Sequence, residues 1–542
     1  MTNRVVLGWT ALAWAVFAAA ALWLTRHGVS LDTDSAMRLA GVRDLLHGQG
    51  WFDTSQHRLN TPYGLTMHWS RLVDAPLALL MLAGEGFALR VWPLALFAGV
   101  LFALARLAAA FSARAVPVVL GLALLCVEIF GTFSPGDIDH HGLQLLLMLA
   151  ALLGVVEKRP VLTAVAVTLG LGVGLEVLPY AVVAIIAASL WLRDEPLKAR
   201  VFGSVLATLS VGLRFFATAS LYRDTPVCDT YSLYYAGLLF AGGVGVTVIS
   251  YFPRHRLWAI AALAVLLLGF AALMNSSCFA GPYAGVDMRM KAIFLARINE
   301  ARPVWSFWQL AHSQVIGGFC YGVFALAMTV FAPRGRARLL VLAFGAMALL
   351  VATLQYRATP FLILFALPGL AAALARLLDR RSIVWLAVAV IFCNSAAFTL
   401  AGTLLEGQER VALRAMRFHA QEDCGSEKAM ALLNALPPGR VAAFVDQGPA
   451  IMAYTKHSAI AGPYHRDAAG ILDTYDLFTA ANPRAILQKR GINYLMTCRA
   501  APDWDFYAAR GGLMAQLAAG RVPAWLTPAG SSGDVTVYRV SH

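Results

Sequence analysis

The sequence predicts a polytopic α-helical membrane protein of about thirteen spans, followed by a small α/β domain on the outer face. Composition is the first reason: 59% of the 542 residues are hydrophobic and 13% charged, with a mean hydropathy of +0.67. A soluble enzyme of this length would carry far more charge on its surface. The second reason is that apolar runs of bilayer length recur from Val5 to Leu404 and then stop. The third is the placement of charge. The net charge of +13 is spread in short basic clusters between the apolar runs, the bias of cytoplasmic loops facing anionic headgroups. That pattern points to membrane lipids and phosphate as counter-charges, and no nucleic-acid partner is expected.

The first span lies near Val5–Leu24; it lacks a small-residue cleavage site and is read as retained, with Arg4 inside. The polar loop 25–76 follows on the outside. Span two falls within Leu77–Ala110, long enough to begin as an interfacial helix. Span three, Val116–Phe130, returns outside at SPGDIDHHG, and span four, Leu143–Val156, ends inside at Glu157-Lys158-Arg159. Two linked spans (Val161–Gly174, Leu178–Leu192) and a seventh (Val201–Ala219) lead to the outer loop LYRDTPVCDTYS. Spans Tyr234–Phe252 and Leu257–Leu273 precede a long outer loop, Asn275–Phe307. Leu310–Phe331 ends at the densest basic cluster, PRGRAR, and Leu339–Leu354, Pro360–Leu378 and Ile383–Leu404 complete the set. The expected division is therefore a membrane domain 1–404 and an outer domain 405–542. In the outer domain, β-type runs at Val441–Val445, Ile492–Thr497 and Val535–Val540 alternate with helix-like stretches at Ser426–Ala435, Pro483–Lys489 and Phe506–Ala518.

None of the seven cysteines has zinc-ligand spacing. The topology puts Cys228 and Cys278 in outer loops and Cys424 and Cys498 in the outer domain. An oxidising compartment would allow each pair to bond; the alternative is four small buried thiols.

Chemistry concentrates in two acidic stretches. The loop 25–76 carries Asp32, Asp34, His68 and Arg71 among interleaved aromatics, more charge than a linker needs. After span three stands Asp137-Ile138-Asp139-His140-His141. An Asp-x-Asp puts carboxylates within reach of one hard divalent cation, magnesium or manganese, and the histidines can complete such a site or grip a phosphate. Asp32-Thr33-Asp34 is a second such pair. Glu176 is an acid set inside a hydrophobic pair of spans, at their outer turn; residues of this kind are paired or functional.

This order resembles the catalytic subunits of oligosaccharyltransferases and, more broadly, the GT-C class of polytopic glycosyltransferases. GDIDHHGLQ is similar to that family's second acidic motif, and NTPYGLTMHWSRLVDAPLA to the close of its first loop. The resemblance implies transfer of a sugar or oligosaccharide from a polyprenyl-phosphate-linked donor, with a divalent metal (Mg²⁺ or Mn²⁺). It implies Asp34, Asp137 and Asp139 as catalytic and metal-binding residues. Glu300, in Asn299-Glu300-Ala301-Arg302-Pro303, is similar to a short glutamate motif that reaches the metal or acceptor. Arg357 in LQYRATP resembles the arginine that pairs with the lipid phosphate, a task suited to its bidentate fork; without the resemblance it reads as an arginine snorkelling to the interface. His68 and Arg71 would assist at the phosphate. Asp32, His140, His141 and Glu176 would support the site or the acceptor. The family's Trp-Trp-Asp-Tyr-Gly signature is missing. Phe444-Val445-Asp446-Gln447-Gly448 stands in its place, followed by a loop with His465 and Arg466, so Asp446, His465 and Arg466 would meet an acceptor that need not be an asparagine sequon.

The expected function is a glycosyltransferase of a bacterial-type inner membrane. Its catalytic loops and C-terminal domain would be periplasmic, and its acceptor a glycan, lipid or protein. A transporter or flippase of lipid-linked or anionic substrates is the alternative; paired half-repeats and broken-helix signals of that class are not evident in the sequence.

Overall fold

The computed structural model describes residues 3–378 and 383–541. The chain packs as two compact units. One gathers Met1–Val29, Trp69–Ala284 and Asn299–Gly407; the other gathers Ser30–His68, Gly285–Ile298 and Gln408–His542. The division on sequence runs at 404/405 and keeps loop 25–76 with the membrane part, whereas most of that loop packs with the tail.

In the first unit, among the described residues, eight helices are long and apolar enough to cross a membrane, or nine if the bent pair Ile383–Phe392 and Ser395–Glu406 counts as one. Four shorter apolar helices, Ala115–Leu124, His141–Val156, Pro160–Val173 and Leu233–Ile249, occupy the other stretches read as spans. The long second run is divided. Helix Arg71–Met81 ends before Gly84, whose φ of 123° only glycine adopts freely, and Glu85–Ala109 follows. Leu310–Phe331 is interrupted as well, by a π turn at Ile316–Cys320 where Gly317 and Gly318 are buried.

The core of this unit is the helix Thr359–Leu377, in which every residue from Phe361 to Ala375 is buried. A helix that is apolar all round can be sheathed by other helices on every side. It packs against Arg336–Leu354, Tyr321–Met328 and Ala115–Leu124. Close approach at Gly369 is what admits the Thr329 side chain: a Cβ there would lie 2.7 Å from Thr329 Cβ.

The second unit is built on strands β1 (Ser55–Gln56), β2 (Leu65–Thr66), β3 (Arg440–Ala442), β4 (Ser458–Ala459), β5 (Tyr494–Cys498), β6 (Leu526–Ser532) and β7 (Val535–Val540). The first two form a small antiparallel hairpin, and the rest a five-stranded mixed sheet of order β4-β3-β5-β7-β6. β3 runs parallel to β4 and β5; β7 runs antiparallel to β5 and β6. All of β5 is buried, which is why its run YLMTC shows no polar alternation. The helical stretch expected over Phe506–Ala518 is two helices, Pro502–Ala508 and Gly512–Ala518, split by Gly511 and Gly512 at φ 87° and 67°. The strand expected to run to Val445 ends at Ala442, and a 3₁₀ turn covers Val445–Gln447.

Arginines tie the polar segment 30–68 into this unit. Arg58 donates to the carbonyls of Met452 (2.8 Å), Thr455 (2.9 Å) and His457 (3.0 Å). Arg490, wholly buried, donates to Asn60 Oδ1 (2.8 Å), to the Thr61 carbonyl (3.0 Å) and to Asp473 (2.6 Å). Each guanidinium thus satisfies carbonyls that would otherwise be buried without donors. Both disulfides considered on sequence are present: Cys228–Cys278 in the first unit and Cys424–Cys498 in the second.

Candidate active site

The acidic motif after the third apolar run folds as a turn leading into helix His141–Val156. The Asp139 carboxylate turns inward, with its side chain 3% exposed, and contacts His140 Nδ1. Its other oxygen lies 3.3 Å from His141 Nε2. One ligand atom from each of Asp139, His140 and His141 falls within a 4.8 Å group, the arrangement that suits a metal ion. Asp137 is not part of that group. It is half-buried two residues earlier, its N–H bonded to the Ser134 carbonyl at 3.1 Å. Beside Asp139 of the expected Asp-x-Asp pair, the group brings in two imidazoles, as the chain turns into the helix directly after Asp139.

Glu176 links this group to a cation. It sits on the 3₁₀ turn Leu175–Val177, held by Pro179 at the start of the next helix. Its carboxylate reaches His140 Nε2 at 3.4 Å, His141 Nδ1 at 3.5 Å and Arg357 Nη1 at 3.0 Å. Arg357 lies in the turn Tyr356–Ala358 that opens the buried helix Thr359–Leu377. It also interacts with Glu300 and with the hydroxyl of Tyr283, a residue the motifs did not single out. Burial alone would strip a proton from His140. The Asp139 and Glu176 carboxylates outweigh that and push its imidazole up to about 10. Without an ion, His140 is therefore the counter-charge of the two acids.

Behind Arg357, Tyr356 stacks on Phe307 at 4.0 Å, its N–H bonds the Arg302 carbonyl at 2.9 Å, and its hydroxyl bonds the Gln314 carbonyl at 2.8 Å. Glu128 lies 3.3 Å from the same hydroxyl. This acid escaped the motif reading because a single Glu in an apolar run carries no spacing signal. Arg71 is buried and bonded to Asp74 at 3.1 Å, so one of its nitrogens is committed within its own helix.

The remaining expected residues belong to the second unit. Asp32 caps helix Thr33–Leu46, accepting from Ser35 N at 2.8 Å, and Asp34 stands in its first turn, where a negative charge complements the helix dipole. His68 and His465 pack ring to ring at 4.5 Å. Arg466 is half-buried in the same loop as His465. Asp446 lies on the 3₁₀ turn after β3, exposed to a cavity, while Asp503 is nearby and bonded to Arg297 at 3.0 Å. Desolvation and the Asp503 charge push the Asp446 carboxyl up, to about 7, and the water that reaches its open side works against that rise.

No protein-family model and no curated protein matches the chain. Solved structures do. The archaeal oligosaccharyltransferase AglB from Archaeoglobus fulgidus, in complex with an inhibitory peptide and a dolichol-phosphate, superposes with a TM-score of 0.67 at 14% identity, over 93% of this chain and 71% of that one. The same enzyme with Zn and sulfate gives 0.62 at 14% identity, over 94% and 70%. ArnT from Cupriavidus metallidurans bound to undecaprenyl phosphate gives 0.51 at 16% identity, over 98% of both chains. At such identities the likeness is one of fold, and it meets the resemblance read from the acidic motifs: the chain has the fold of the GT-C membrane glycosyltransferases.

Proposed function

We propose that this protein is a membrane glycosyltransferase that takes a sugar from a polyprenyl-phosphate-linked donor. The observation that supports it most is the connected set Asp139–His140–His141–Glu176–Arg357 in a chain of this fold. AglB and ArnT, which share the fold, are solved with dolichol-phosphate and undecaprenyl phosphate. Arg357 binds the donor's phosphate oxygens. Its fork stays charged, and Glu176 fixes its orientation.

Of the two ions expected, manganese accepts imidazole nitrogen more readily than magnesium, so a donor set of one carboxylate and two imidazoles favours it. Such an ion would neutralise charge on the leaving phosphate. Glu176 holds both imidazoles from the other side and fixes their ring orientation. The acceptor's nucleophile attacks the anomeric carbon as the bond to phosphate oxygen breaks, passing through an oxocarbenium-like state. Asp34, on the resemblance alone, takes the nucleophile's proton; Asp137 and Glu300 support the site on the same footing, and His68, Asp446, His465 and Arg466 meet donor or acceptor. The two disulfides support placing these loops and the tail in an oxidising compartment, the periplasm of a bacterial-type cell.

The test is release of free polyprenyl phosphate from a lipid-linked sugar by the purified full-length protein in lipid nanodiscs. Asp139→Asn and Asp34→Asn should each reduce release at least ~100-fold while the protein still unfolds cooperatively; for Asp139→Asn, which leaves His140 short of a counter-charge, some loss of melting temperature is expected. A chelator should stop the wild type, and Mn²⁺ should restore it. Transbilayer movement of the intact lipid-linked sugar with no release would establish the flippase instead.

A further inference from the structure

The second unit holds a cavity of about 190 Å³, one of whose lining residues, Asp446, the reading above offers to donor or acceptor. Asp32, Phe444, Asp446, Gln447, Ala450 and Asp503 are among the residues that line it, and among the described residues no lysine, arginine or histidine does. Gln447 is 3% exposed, and neither its Oε1 nor its Nε2 has a hydrogen-bond partner. A buried primary amide left without partners is costly, so it marks a place where a ligand's polar atoms belong. Two carboxyl groups, Asp446 and Asp503, face the single guanidinium of Arg297. These three groups carry one negative charge in excess when both acids are ionised, and the Asp32 carboxylate lines the same cavity.

These features select the ligand's chemistry. The excess carboxylate calls for a cation, while Gln447 needs both a donor and an acceptor. A bare metal ion would use the amide oxygen and leave the Nε2 hydrogens stranded. A neutral sugar would satisfy the amide and leave the charge. Phe444 and Ala450 supply an apolar wall, and the volume holds about six waters or a compact molecule of similar bulk. We propose that this cavity is a binding site for a small protonated amine carrying hydroxyl groups, of the amino-sugar class, with the ammonium on Asp446 and a neighbouring hydroxyl on Gln447. The proposal shares Asp446 with the transfer reading and names a ligand for it, but binding is measured without turnover, so the two can fail separately.

The experiment is calorimetric titration of the full-length protein in detergent with glucosamine, glucose and N-acetylglucosamine. Glucosamine should bind saturably and at least ~10-fold more tightly than either neutral sugar, the difference expected of a charge-assisted contact. Asp446→Asn should remove that preference, and Gln447→Leu should weaken glucosamine ~3–10-fold, with thermal melts confirming that each variant is folded. The discrimination by the wild-type protein needs no variant and is decisive alone. Equal binding of all three sugars, no saturable binding of any, or displacement of glucosamine by Ca²⁺ at equimolar concentration would overturn the assignment.

Discussion

The helices Tyr356–Leu377 and Arg256–Ala280 both qualify as membrane spans, yet 94% of the first apolar window is buried and 6% of the second. The exposed one is the more hydrophobic of the two. It turns Leu257, Trp258, Leu266 and Leu273 outward, each more than two-thirds exposed, and starts with basic residues, Arg254 and Arg256, beside the tryptophan. Those are the marks of a lipid-facing helix anchored at an interface. Hydropathy cannot separate the two cases, because acyl chains are as apolar as a leucine core. The distinction lies in close packing: Gly369 of the buried helix touches Thr329, whereas nothing lies within 4 Å of where a Cβ would stand at Gly269 of the exposed one.

Paired substitutions sharpen this contrast. The largest difference is expected at the two opening arginines. Arg357→Ala should raise the donor KM ~10–100-fold with little change in kcat, since the phosphate charge is present before reaction. Lysine should restore part of that loss, and Arg256→Ala should leave both constants unchanged. Equal behaviour of the two arginines would mean that Arg357 only anchors its helix. Next come the glycines. Gly369→Ala should lower unfolding stability by ~1–3 kcal/mol through overpacking against Thr329, while Gly269→Ala should be neutral or slightly stabilising, read by chemical or thermal unfolding in micelles. The smallest effect is a single methylene. Ile363→Val in the buried helix should cost ~0.5–1.5 kcal/mol, and Ile260→Val close to nothing because lipid fills the space. The exposed helix packs on Leu233–Ile249 through Leu263, Leu267 and Phe270, and a matching loss at Ile260 would show that its own position also faces protein rather than lipid.

Much of this architecture was legible in the chain, and for identifiable reasons. The apolar runs announce the helices because each bilayer crossing must satisfy its backbone within itself. Glu176 was legible as an acid out of place, and the structure supplies its partners in His140, His141 and Arg357. The cysteine pairs followed from which side of the membrane each loop was placed on. Spacing alone could not say which acid of the pair meets the histidines: in a helix or strand two residues two apart have a fixed relation, but in a turn the backbone decides, and here Asp139 lies with His140 and His141. Glu128, Tyr283 and the partnerless amide of Gln447 had no sequence signal, since each acts through neighbours far off in the chain. The same holds for Arg490, whose partners include Asn60 and Thr61.

Those distant partnerships bear on biosynthesis. The polar segment Ser30–His68 is made well before Met452, Thr455, His457 and Arg490, which hold it and follow only after roughly 380 to 420 further residues. At ~5–20 residues per second that is a wait of roughly twenty to eighty seconds. Throughout it a nascent loop rich in charges and aromatics has none of these partners, with helix after helix being inserted in the meantime. A stop codon before Met452 would leave that early segment without any of these partners, so damage far downstream should first be felt as sites newly open to proteases between residues 30 and 68.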